Sequence, residues 1–223
     1  MILRDIAMLA VGNRRSISYL KELMQRDYLP SFALVLSTEG NRTPGQKDKS
    51  ENFEFLDLLQ KAGIDYLVCP TADINSADII AILSGRPETY FIYSGPGGAI
   101  LRHDILSLGK EFLHIHAGRI PEFKGSTTIY YQLLVENKCS ATAIFLRSKI
   151  DEGPVIATRE FEPPLEEEID YEYDPKIRAL LLGDVIELYT KTGFFETCMQ
   201  NDDGESYYIM HPVLRHITVL YMR

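Results

Sequence analysis

Short apolar runs alternate with helically periodic stretches through most of this chain, and a parallel sheet flanked by helices is the architecture that such an alternation can close. Asp5 to Val11 is an apolar run that stops at Gly12-Asn13, and Ser16 to Gln25 then carries Ile17, Leu20, Leu23 and Met24 at helical spacing. Ser31 to Ser37 (SFALVLS) has the composition of a buried strand, and the polar TEGNRTPGQKDKSE, Thr38 to Glu51, reads as a loop. Phe53 to Ala62 predicts a helix, Asp65 to Cys69 a strand, Ala77 to Leu83 a helix, and Tyr90 to Tyr93 a short aromatic strand. Asp104 to Leu108 predicts a helical turn, Phe112 to His116 a strand, Thr127 to Glu136 a helix, and Ala141 to Leu146 and Val155 to Phe161 two further strands. The expected fold class is α/β, Rossmann-like, with a mostly parallel sheet between helices.

Texture changes after Pro163-Pro164. Leu165 to Ile177 concentrates acids and tyrosines, Ile177 to Tyr189 resumes a helical pattern, and the closing VLRHITVLYM is apolar enough to suggest a homodimer. The expected division is an α/β domain over 1–163 and a C-terminal extension, 164–223, packed on it.

The 223 residues are 45% hydrophobic and 25% charged, ordinary for a soluble globular protein, and no apolar run reaches membrane-spanning length. MILRDIAMLAVGNRR reads as a first strand and not as a signal peptide, so a cytoplasmic location is expected. A net charge of −9 argues against a nucleic-acid partner, whose phosphates demand clustered Lys and Arg. Cys69, Cys139 and Cys198 are widely spaced with no CxxC pair, the usage of reduced thiols.

Chemistry concentrates in FLHIHAGRIPEFKGSTTIYY, Phe112 to Tyr131, and in KIDEGPVI, Lys149 to Ile156. His114 and His116 are two apart, so on a strand both imidazoles share one face, and the Gly- and Pro-bearing stretch behind them reads as a loop at the strand's carboxyl end. A carboxylate such as Asp151 beside a histidine can orient the ring or take up a proton. Lys124 and Arg119 could meet an anion, with Ser126 and Thr127 as caps of the following helix. An HxH pair with a distant Asp can also hold zinc or iron, but nothing in the spacing recruits His103 or His211 as a further ligand, and no metal site is expected. SGPGGAIL, Ser94 to Leu101, matches no phosphate-binding fingerprint; its glycines would let a flat ligand approach main-chain groups.

These residues resemble the folate-dependent formyltransferase family, nearest to its sugar N-formyltransferases. Where the family has a pattern like NxHPSLLPxxxG and then DxGP, this chain has HIHAGRIPEFKG and IDEGP, with Pro121 and Gly125 at matching intervals, and SGPGGAIL with Gly109-Lys110 is similar to the pterin-contacting segment. The likeness covers Tyr90 to Glu160 well and the tail poorly. It implies the Rossmann-like formyltransferase fold and 10-formyltetrahydrofolate as cofactor, held by Gly95, Gly97, Ile100, Leu146 and Ile150. It implies a catalytic trio in which His116 and Asp151 match and His114 stands where the family has Asn, so that an imidazole N–H fills the oxyanion-donor place. It further implies an amine acceptor, such as a nucleotide-linked amino sugar of surface polysaccharide synthesis, lined by Arg119, Lys124, Tyr130 and Tyr131. Glycinamide ribonucleotide as acceptor, or a catalytically silent folate- or nucleotide-binding module, are the alternatives, and a metal-dependent hydrolase is a third class.

Overall fold

Ile6–Val11 (β2) is apolar and buried along its whole length, the signature of a strand covered on both faces, and it is an interior strand with a parallel neighbour on each side. The computed structural model describes residues 1–37, 48–201 and 204–222. The chain divides into two compact units, one reaching to His114 and one starting at Ile115.

In the first unit the elements are Ile2–Leu3 (β1), β2, Arg14–Gln25 (α1), Leu29–Pro30 (β3), Phe32–Leu36 (β4), Asp48–Lys61 (α2), Asp65–Cys69 (β5), Ala77–Ser84 (α3), Tyr90–Ser94 (β6), His103–Leu106 (α4) and Glu111–His116 (β7), whose last two residues open the second unit. The strands run in the order β7-β6-β2-β4-β5, each parallel to its neighbours. The side chain of Asn13 caps α1 by accepting from Ser16 N at 3.0 Å. That helix buries Ile17, Leu20 and Leu23, the face that its spacing predicts. The loop expected over Thr38 to Glu51 ends sooner, because α2 begins at Asp48; residues 38–47 lie outside the described ones.

The second unit continues with Phe123–Gly125 (β8), Thr128–Glu136 (α5), Cys139–Phe145 (β9), Val155–Phe161 (β10), a short π-helix at Ile169–Tyr173, Asp174–Thr192 (α6), Glu205–Tyr207 (β11) and Pro212–Tyr221 (α7). β9 and β10 pair antiparallel. A core of Ala117, Ile129, Tyr130, Leu133, Cys139, Ile169, Tyr173, Ile177 and Met210 draws on both α5 and the C-terminal residues. β8 falls inside the stretch expected to be an open loop: its partner, β11, comes from the tail and pairs parallel with it. Val213, Ile217, Leu220 and Tyr221 of α7 are exposed.

Candidate active site

β7 delivers His116 to its carboxyl end, where the ring is only 3% exposed. The backbone turns back after Pro121, so that β8 crosses the ring and the carbonyl of Phe123 lies 2.7 Å from His116 Nε2. A carbonyl oxygen only accepts, so Nε2 must carry the hydrogen. The same N–H also points at Thr128 Oγ1, 3.1 Å away, whose own hydroxyl donates to Ala117 O at 2.5 Å. Both contacts thus define one tautomer, and Nδ1 is left facing Asp151 Oδ2 at 3.3 Å.

Asp151 is 7% exposed and sits in the left-handed region at φ +55°. Its Oδ2 accepts from Gly125 N at 2.8 Å, so β8 touches both members of the pair, the ring through Phe123 and the carboxylate through Gly125. Burial lowers the pKa of His116 below the usual histidine range; the Arg178 guanidinium adds to this, while Asp151, the Phe123 carbonyl and Asp174 oppose it. Arg178 donates to Ile115 O at 2.5 Å and to both Asp174 oxygens at 3.0 Å. A neutral His116 therefore presents an Nδ1 lone pair beside a carboxylate. It can take up one proton there, and Asp151 balances the imidazolium that forms.

No family model matches the chain. Among curated proteins it is 30% identical over 135 residues to methionyl-tRNA formyltransferase of Sulfurovum sp., covering 60% of this chain and 43% of that one. It is 29% identical over 113 residues to the mitochondrial formyltetrahydrofolate deformylase 2 of Arabidopsis thaliana, 49% of this chain and 34% of the relative. The chain thus spans only about a third to a half of the curated relatives it matches. Among solved structures, a sugar N-formyltransferase from Shewanella sp. superposes with TM-score 0.64 at 13% identity, over 99% of this chain and 88% of that one. Glycinamide ribonucleotide transformylase 1 from Symbiobacterium toebii gives 0.61 at 18%, over 88% and 93%. An N-formyltransferase from Helicobacter canadensis, solved with folinic acid and dTDP-3-aminofucose, gives 0.59 at 14%, over 92% and 71%. The fold is that of the folate-dependent formyltransferases. Curated relatives and solved structures alike point to that family.

Within this formyltransferase fold the remaining candidate residues fall as follows. Lys124, on β8, is 4% exposed, and its one ion pair among the described residues is a 4.0 Å approach to Glu152. Arg119 is engaged by Glu136 at 2.5 Å and by Glu122 at 3.4 Å. Tyr131 packs on Tyr207 of β11, ring centroids 4.4 Å apart. Tyr130 lines a separate cavity of about 340 Å³ with Pro164 to Ile169, Val219 and Met222. Leu146 follows β9 half-buried, and Ile150 is exposed beside Asp151.

In the first unit His114 is half-buried on β7, its ring tilted over that of Tyr93 with centroids 6.1 Å apart. Gly95 follows β6, and a Cβ there would lie 2.4 Å from Tyr93 Oη, so packing inside the unit already accounts for that glycine. At Gly97 a Cβ would meet nothing within 4 Å, and Ile100 is exposed. The expected capping of α5 fails: Thr127 has φ +55° and no side-chain cap bond, because its hydroxyl donates to Ser126 O and accepts from Met210 N at 2.8 Å. Sequence reasoning missed Thr128 and Arg178. Thr128 stands inside Phe112 to Tyr131, but Arg178 carries no local signal at all.

Proposed function

We propose that the chain transfers a formyl group from 10-formyltetrahydrofolate to a primary amine of a small substrate, with a nucleotide-linked amino sugar as the favoured acceptor. The observation that carries the reading is the buried His116–Asp151 pair, with Nε2 tied to a carbonyl and Nδ1 turned to the carboxylate. Formyl exchange between two nitrogens takes a proton from the attacking amine and returns one to the departing nitrogen. The site must therefore hold one proton in transit, and His116 Nδ1 with Asp151 Oδ2 can hold it. His114 takes the place of the oxyanion donor, since an imidazole N–H can donate to developing negative charge.

In the first unit the Gly97 main chain is uncovered and Ile100 is exposed, which suits a flat pterin held by backbone groups. The resemblance adds Gly95, Leu146 and Ile150 as donor contacts, and when bound the donor supplies the formyl carbon. For the acceptor, Lys124 is the strongest candidate, because a buried ammonium with one distant carboxylate has capacity left for an anionic group; the resemblance adds Arg119, Tyr130 and Tyr131, of which Tyr130 lines a cavity of its own. The net charge of −9 favours a small acceptor over a tRNA. A homodimer through α7 and a cytoplasmic location belong to the same reading.

The test is formyl transfer read by mass spectrometry, using 10-formyltetrahydrofolate with a panel of nucleotide-linked amino sugars and glycinamide ribonucleotide, and His116→Ala as control. A gain of one formyl group on one acceptor, absent in the control, is expected. The similarity to a formyltetrahydrofolate deformylase favours a second reading in which water replaces the amine. Formate release without any acceptor, also lost in His116→Ala, would establish it. Donor binding with neither outcome would leave a silent binding module.

A further inference from the structure

Asp151 holds a left-handed backbone conformation, φ +55°, which a residue with a side chain keeps only where its surroundings hold it there. The surroundings that impose it come from the tail. Gln200 Nε2 donates to the carbonyl of Asp151 at 2.8 Å and to that of Gly153 at 2.6 Å, so one side-chain amide clasps both ends of the turn that carries the carboxylate. Two residues earlier, Cys198 exchanges a pair of main-chain hydrogen bonds with Val155, both at 2.8 Å, which locks the exit of the same turn. The opposite wall is closed by Phe145: its N–H donates to Pro154 O at 3.1 Å, and a Cβ on Gly153 would lie 1.7 Å from Phe145 O.

A few residues further on, the tail reaches the other half of the site. Glu205 to Tyr207 pair in register with Phe123 to Gly125, Ser126 N donates to Tyr207 O at 2.9 Å, and Met210 N donates to Thr127 Oγ1 at 2.8 Å. Phe123 and Gly125 are the residues whose carbonyl and N–H hold the His116 ring and the Asp151 carboxylate. Residues 198–201 and 204–210 therefore brace, from one short piece of chain, both main-chain segments on which the pair depends.

We infer that Gln200 is a positioning residue of the candidate active site, and that with β11 it sets the approach of the Asp151 carboxylate to His116. Gln200 touches neither the imidazole nor the carboxylate, and its two contacts use only its N–H groups. Its Oε1 is buried with no partner among the described residues, so it is the amide as donor that the site selects. The inference rests on the proposed reaction only where a rate is read; its geometric content stands apart from it.

The experiment is a ¹H–¹⁵N NMR titration of His116 in full-length wild type, Gln200→Met and Gln200→Asn, beside steady-state formyl transfer and thermal melting. Met keeps the length and removes both donors; Asn keeps the amide but is one methylene short of reaching both carbonyls. The charges acting on the ring are Asp151, Arg178 and Asp174, with Lys124 and Glu152 next to the carboxylate, and neither variant alters any of them. Asp151 is the one whose distance the clasp controls. Loosening it should lower the His116 midpoint by about 0.5 to 1 pH unit, part of the 1–3 that a close opposite charge contributes. Asn should fall between Met and wild type, and kcat should drop about tenfold with donor affinity within twofold. Ile79→Val, a core change in the first unit, should lower the melting temperature without moving His116. A His116 midpoint unchanged in both Gln200 variants, or moved equally by Ile79→Val, overturns the inference. Absence of transfer in wild type refutes the proposed reaction instead, and the titration still decides the role of Gln200.

Discussion

Gly125→Ala places a methyl group between β8 and β11, which pair there through Gly125 and Tyr207. Gly125 has φ +106°, a region that L side chains rarely occupy, and holding alanine there costs about 1–3 kcal/mol. The new Cβ would lie 2.1 Å from Tyr207 O, where ordinary contact begins at 3.4 Å, so β11 must retreat by roughly the 1.3 Å difference. A retreat of that size breaks the Ser126 N to Tyr207 O bond and loosens the neighbouring rungs, at about 0.5–1.5 kcal/mol each. The sum is about 2–5 kcal/mol, which for a chain of this length lowers the melting temperature by about 4–20 °C. Gly97→Ala is the matched control, because its Cβ meets nothing, and it should stay within about 0.5 kcal/mol of wild type. Differential scanning calorimetry of the two variants side by side is the assay. Formyl transfer should fall in Gly125→Ala as well, since the Gly125 N–H is the donor to Asp151. If Gly125→Ala melts within about 2 °C of Gly97→Ala, the close approach of β11 to β8 does not carry the load assigned to it.

Asp151→Asn should cut formyl transfer about 10²- to 10⁴-fold, the range for losing one acid–base partner, while donor affinity measured by fluorescence titration changes little; an unaltered rate removes Asp151 from the chemistry. Because burial holds the His116 pKa low, the unfolded chain takes up the proton more readily than the folded one. Stability should therefore be complete above the ordinary histidine pKa of about 6.5 and decline as pH falls from there toward the folded value, and urea titrations at pH 7.5 and 5.5 should show His116→Gln losing less stability than wild type between the two. A thiol reagent should label one cysteine per folded chain, Cys198, because Cys69 and Cys139 are buried and burial pushes the Cys139 thiol up to about 12; mass spectrometry locates the label, and rapid labelling of Cys139 would contradict its burial.

Much of the fold is legible in the sequence alone. The strand and helix order came from local patterns, apolar runs such as IAMLAV and the Ile17, Leu20, Leu23 stripe, and period and propensity act over a few residues. His116 and Asp151 were singled out as well, His116 at the end of a strand that runs into a Gly- and Pro-bearing stretch and Asp151 in a Gly-Pro turn, residue types that can carry acid–base chemistry. The errors came where a distant segment intervenes. Residues 123–125 look like loop because nothing near them supplies a partner, yet β11 does so from the tail. Thr127 looks like a helix cap, yet Met210 occupies its hydroxyl and its backbone turns left-handed.

By itself, then, the sequence determined the α/β alternation, the histidine pair sharing a strand face, and the carboxylate poised in a Gly-Pro turn. Only the tertiary structure decided which nitrogen of His116 carries the hydrogen, since that follows from a carbonyl seven residues away folded back over the ring. It alone recruited Gln200, forty-nine residues beyond the aspartate whose carbonyl it holds. The physical reason is one of range: propensity and periodicity are properties of neighbouring residues, whereas a tautomer and a clasped turn are set by hydrogen-bond partners that only the folded backbone brings within 3 Å.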